Sequence, residues 1–81
     1  MKLILYVQPN CEPCTILKNY LETESILQYF EIKDVTLKRD IALEAKGHGI
    51  KNTPGMIGIA EDGKVTKLSR LNVLAFVDKH F

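Results

Sequence analysis

The sequence predicts an α/β fold, ordered β-α-β-α-β-β-α, with a four-stranded mixed sheet flanked by helices. Three observations predict it. Leu3–Val7 is a continuous apolar run, the chain after Cys11 carries apolar residues at helical spacing, and Asp62-Gly63 lies between two short strand-like segments. The pattern uses all 81 residues without a repeat or a linker, so one domain over residues 1–81 is expected. Hydrophobic residues at 46% and charged residues at 26% are ordinary globular usage and exclude a disordered chain.

The elements follow in order. After Lys2, residues 3–7 are apolar without alternation, as in a strand covered on both faces of a parallel sheet with helices on each side. Gln8-Pro9-Asn10 ends it without the small-residue cleavage site of a leader peptide. A helix is expected from Cys11 to about residue 24, with Pro13 in its first turn and Ile16, Leu17, Tyr20 and Leu21 on its apolar face. Residues 28–35 alternate, with Phe30 and Ile32 on one face and Glu31 and Lys33 on the other, which predicts a second strand. A second helix is expected over residues 38–48, with Ile41, Ala42 and Ala45 inward and Gly47 and Gly49 at its end. Residues 51–55 form a turn and residues 56–60 a short apolar strand. Asp62-Gly63 returns the chain into Val65–Leu68 as an antiparallel strand. Ser69 is expected to cap the last helix, which carries Leu71, Val73, Leu74, Phe76 and Val77. Tyr6 and Tyr29 are read as packing residues with exposed hydroxyls, His48 as a helix-end residue, and Lys18 and Arg70 as solvated cations.

Eleven basic and ten acidic residues leave a net charge of +1, which excludes a strongly basic nucleic-acid or anionic-membrane binder. The longest apolar run is too short to span a bilayer. Nothing points to export, and a cytoplasmic monomer is expected.

The two cysteines, Cys11 and Cys14, carry the chemistry. A bridge across so short a loop constrains the unfolded chain little, so stabilisation is a poor reason for the pair. The pair is either redox-active or half of a metal site. Zinc needs two further ligands, and His48 and His80 lie outside the usual spacing. An iron–sulfur cluster shared across a dimer with outside thiols is the alternative function, a metal-binding scaffold. Redox activity is favoured. Cys11 stands where a strand meets a helix, so free amides and the helix dipole lower its thiol pKa. Cys14, one turn on, brings its sulfur beside the first. Cys11 is then the attacking thiolate and Cys14 the resolving thiol. Between them, Glu12 opposes the dipole and raises the Cys11 pKa, and Pro13 stiffens the turn; no metal ligand is assigned.

Thr53-Pro54 precedes the third strand. A proline there is commonly a strand boundary. Beside the cysteine helix, it would turn the Thr53 backbone towards an extended substrate chain, and Thr53 and Pro54 are assigned as substrate-binding residues.

Together, Cys11-Glu12-Pro13-Cys14 after a first strand, Thr53-Pro54 before a third and the β-α-β-α-β-β-α order resemble the thioredoxin-fold superfamily. The length and the N-terminal motif are similar to those of glutaredoxins and the glutaredoxin-like electron donors of ribonucleotide reductase. The resemblance implies a thioredoxin fold, a cis proline at Pro54, a nucleophile at Cys11 and a resolving thiol at Cys14. It implies a dithiol–disulfide oxidoreductase acting on protein disulfides, ribonucleotide reductase among them. Its electron donor would be glutathione or a flavin enzyme of the thioredoxin reductase kind, with no bound cofactor. Four positions depart from the family patterns. Proline is the second residue between the cysteines, as in Cys-Gly-Pro-Cys rather than Cys-Pro-Tyr-Cys. Asn10 replaces a tryptophan, and Gln8 replaces the lysine that holds a glutathione carboxylate. Residues 67–70 lack both the Gly-Gly pair of glutaredoxins and most of the Trp-Ser-Gly-Phe-Arg stretch of the reductase donors. These departures favour protein disulfides over glutathione adducts as substrates.

Overall fold

The computed structural model describes residues 1–81. The chain runs β1 (Lys2–Val7), α1 (Glu12–Thr23), a turn of 3₁₀ helix (Leu27–Tyr29), β2 (Phe30–Asp34), α2 (Arg39–Gly47), β3 (Gly55–Ile59), β4 (Val65–Leu68) and α3 (Val73–His80). The sheet order is β2-β1-β3-β4. The β1 and β2 strands are parallel, with Leu5 beside Ile32. The β3 strand is antiparallel to β1, with Leu5 beside Met56, and β4 is antiparallel to β3. This is the predicted mixed α/β sheet. No helix is long and apolar enough to cross a membrane.

The unbroken apolar run of β1 has a direct cause. It is a central strand, and every residue from Leu3 to Val7 is buried. Its side chains alternate between two cores. Leu3, Leu5 and Val7 join Leu17 and Leu21 of α1 and Val73 and Val77 of α3 on one face. Ile4 and Tyr6 join Ala45 of α2 and Ile57 on the other. At the hairpin, Gly63 adopts φ +88°, and the Lys64 N–H donates to Asp62 Oδ1 at 2.9 Å. That left-handed geometry is why glycine follows aspartate there.

Several expectations are corrected. The second strand is shorter than residues 28–35, because 27–29 wind into the 3₁₀ turn. Ile32 is 44% exposed: β2 is an edge strand, and the helices cover only part of it. Ile16 and Ala42 point outward on their helices. Ser69 does not cap α3, which begins at Val73 behind Asn72. Instead Ser69 and Asn72 close a turn, the Ser69 N–H donating to Asn72 Oδ1 at 2.7 Å and the Leu71 N–H to Ser69 Oγ at 3.2 Å. Leu71 therefore sits on that turn, 98% exposed.

Tyr6 differs most. Its hydroxyl is not exposed; the residue is fully buried and donates to Glu44 Oε2 at 2.5 Å. Lys33 Nζ donates to both Glu44 oxygens, at 2.9 and 3.0 Å. Burial first, then the Glu44 carboxylate, push the Tyr6 hydroxyl pKa above its ordinary value. The Tyr6 hydroxyl, then Lys33, hold the Glu44 carboxyl below the usual carboxylate range.

A carboxyl depressed in the fold stabilises it above its unfolded pKa of about 4.3, and this is lost as pH falls through the folded value. The stability gap between wild type and Glu44→Gln should therefore narrow as pH drops from about 5 to about 3, read from urea midpoints. A gap unchanged over that range removes the linkage. A second test concerns β3. A Cβ on Gly58 would lie 2.4 Å from the Phe76 ring. Gly58→Ala should cost about 1–3 kcal/mol in urea unfolding, and Phe76→Leu in the same chain should recover part of it.

Candidate active site

The site is built at the exit of β1. Asn10 takes a left-handed backbone (φ 55°), which asparagine tolerates better than most residues. The chain thereby turns from strand into helix within Gln8-Pro9-Asn10. Cys11 then occupies the N-cap of α1 with extended dihedrals. Its Sγ accepts a hydrogen bond from the Cys14 N–H at 3.2 Å, the position a serine or aspartate oxygen takes in an ordinary cap. Leu17 and Leu21, buried below, pin the helix to the sheet.

Cys11 and Cys14 are joined as a disulfide, with Cα atoms 5.2 Å apart. Cys11 is partly exposed and Cys14 buried. Glu12 and Pro13 occupy the first turn of α1, both exposed. Thr53 faces the pair from the opposite side, its carbonyl oxygen 4.0 Å and its Oγ1 3.8 Å from Cys11 Sγ. The Thr53-Pro54 peptide is cis. Thr53 precedes β3, and its N–H and C=O join no backbone hydrogen bond. Thus all six residues singled out in the sequence gather at one end of the sheet. His48 and His80 do not join them: they end α2 and α3.

One further side chain is closer than expected. Lys18, read as a solvated lysine, is half-buried and lines a hollow with Cys11, Cys14 and Glu12. It also faces Asp34, whose carboxyl is held below its usual range by the Thr36 hydroxyl and amide first, and last by Lys18. The i, i+4 spacing from Cys14 was the available signal. The hollows beside Thr53 and Pro54 add Lys46 and Lys51, which motif reading did not reach, and Arg70, which the sequence reading took as a solvated cation. Of these, only Lys51 is near the Thr53-Pro54 pair in sequence.

The chain is 38% identical over 64 residues to the SPbeta prophage-derived thioredoxin-like protein YosR of Bacillus subtilis (strain 168), covering 79% of this chain and 74% of that protein. It belongs to the thioredoxin-like proteins. No family model matches it. Its fold is similar to the crystal structure of the thioredoxin-like protein BC3987, with a TM-score of 0.66, 25% identity and coverage of 94% of this chain and 99% of the other. A point mutant of BC3987 matches at a TM-score of 0.65, 25% identity and coverage of 93% and 96%. A thioredoxin-like fold with a disulfide between Cys11 and Cys14 supports thiol–disulfide oxidoreductase chemistry.

Glu12 lines the hollow that holds both sulfurs. In the reduced protein, Glu12→Gln should lower the pH at which Cys11 ionises, followed by thiolate absorbance. A midpoint that stays or rises in the variant removes Glu12 as a tuning residue.

Proposed function

We propose that this thioredoxin-like chain is a dithiol–disulfide electron carrier of the glutaredoxin-like type, working as a monomer in the cytoplasm and reducing protein disulfides. The observation that carries the reading is the Cys14 N–H held on Cys11 Sγ at the head of α1. An amide and a helix dipole aimed at one sulfur favour its thiolate, which is the reactive form.

The cycle starts from the dithiol. The Cys11 thiolate attacks one sulfur of a substrate disulfide. A mixed disulfide forms, and the second substrate sulfur leaves as a thiolate. Cys14 loses its proton and attacks Cys11 Sγ. The bond seen in this structure closes, and the remaining substrate sulfur leaves as a thiolate. Two electrons have passed to the substrate. Glutathione, or a flavin enzyme of the thioredoxin reductase kind, then returns two electrons and reopens the Cys11–Cys14 bond.

Thr53 and Pro54 are the substrate-side residues of this reading. The Thr53 carbonyl oxygen lies 4.0 Å from Cys11 Sγ, and neither it nor the Thr53 N–H is taken up by a backbone hydrogen bond, so an extended peptide can bond to them as an added strand edge. Ribonucleotide reductase is one candidate acceptor, since its disulfide is a protein disulfide of this class.

Insulin reduction with dithiothreitol as donor tests the reading. Cys11→Ser should fall to the uncatalysed background. Cys14→Ser should react once and accumulate as a mixed disulfide, visible as a mass increase that dithiothreitol removes. Equal rates for wild type and Cys11→Ser would defeat the carrier. Supplying glutathione or thioredoxin reductase in turn to the wild type then identifies the donor.

A further inference from the structure

Three hollows meet at Thr53 and Pro54, and their charge is one-sided. The first, about 480 Å³, has Lys46 and Lys51 on its rim and Thr53 at its edge. The second, about 350 Å³, runs past Pro54 to Arg70 over an apolar floor that includes Met56. The third, about 380 Å³, joins them along Lys51, Pro54 and Lys67. These linings carry four cations and no aspartate or glutamate. The ion pairs of the molecule all belong to Lys33, so none of the four has a carboxylate within 4.0 Å. On the far side of the disulfide the hollow is mixed, with Glu12 opposite Lys18. A net charge of +1 conceals this asymmetry.

One of the cations is also held in place, and a second runs along the backbone. The Arg70 guanidinium lies over the Tyr20 ring, 4.6 Å from its centroid, which leaves its edge free to pair with a carboxylate. The Lys67 stem lies against Gly49, where a Cβ would sit 3.6 Å from Lys67 Cδ.

We propose that these clefts dock an acidic segment of the protein substrate on either side of the cysteine under attack. The inference rests on the dithiol-carrier reading and names its substrate class. Thr53 holds the extended backbone beside Cys11, so flanking side chains fall towards Lys51 on one side and Arg70 on the other. Each exposed cation alone adds little to binding. Several around one cleft raise its local potential, steer an acidic partner inward and fix its register. Glutathione offers two carboxylates and an ammonium group. Four unpaired cations spread over three hollows suit a longer acidic stretch.

The experiment measures the first-turnover oxidation of the reduced full chain by three synthetic disulfide-bridged peptides. These differ only in the residues flanking one cysteine, which are Glu, Gln or Lys. At low salt the second-order rate constants should rank Glu above Gln above Lys, with about tenfold between the extremes. Raising the ionic strength should compress that span. The double variant Lys51→Glu, Arg70→Glu should reverse the ranking. Equal rates for the Glu and Lys peptides in wild type overturn the docking surface while leaving the carrier intact. So does a gain confined to glutathione mixed disulfides. If wild type reduces not even the Gln peptide, the carrier reading falls and the docking with it.

Discussion

One hydrogen bond organises the active end of the molecule: the Cys14 amide on Cys11 Sγ. It forms because a cysteine stands at the N-cap, where helices usually place an oxygen. The same contact satisfies an orphan N–H of α1 and sets the sulfur at the positive end of its dipole. It also requires Cys11 to be extended while the next residue is helical, and this is how the pair comes close enough to bridge. The turn at Asn10, the exit of β1 and the anchoring of α1 by Leu17 and Leu21 all serve that geometry.

The sheet carries α1 and the Thr53 loop as a rigid support. The β1 strand precedes the cysteines and β3 follows Thr53-Pro54, and the two are neighbours in register, with Tyr6 beside Gly55. The two halves of the site thus reach the same edge although they are about forty residues apart. Beneath them lies the polar arrangement of Tyr6, Glu44 and Lys33. It ties β1 to α2 and to the edge strand β2 with charge-assisted hydrogen bonds. A buried hydroxyl without that acceptor would be costly. A carboxylate on α2 that also holds Lys33 makes tyrosine acceptable in the middle of a core strand.

How much of this was legible depends on whether the cause is local. The central position of β1 was legible because burial on both faces leaves an unbroken apolar run. The hairpin was legible because a positive φ selects glycine. The cysteine pair was legible because its spacing acts over a few residues, whereas Thr53-Pro54 alone reads as a strand boundary and was singled out chiefly through the resemblance to the thioredoxin fold. Tyr6 was not, since its acceptor is 38 residues away and only the fold brings them together. Ile32 was not, since periodicity gives the face of a strand and not whether a neighbour covers it. Ser69 makes the kind of side-chain bond expected of a cap, but it closes a turn ahead of the helix. A serine has the same preference in both places.

Charge shows the same limit most clearly, and at position 8 it changes an argument. Gln8 stands where the glutaredoxin pattern has a lysine, and by sequence alone that removes a cation from the substrate side. In the fold Gln8 lines the same hollow as Lys46 and Lys51, which arrive from α2 and from the loop before Thr53. The hollow is therefore cationic without position 8. The potential in that hollow is the field of the assembled cleft, summed over residues from separate elements. A substitution read one position at a time reports the loss and misses the replacement. The electrostatic character of such a site belongs to the fold that gathers its charges rather than to the motif that marks its sulfurs.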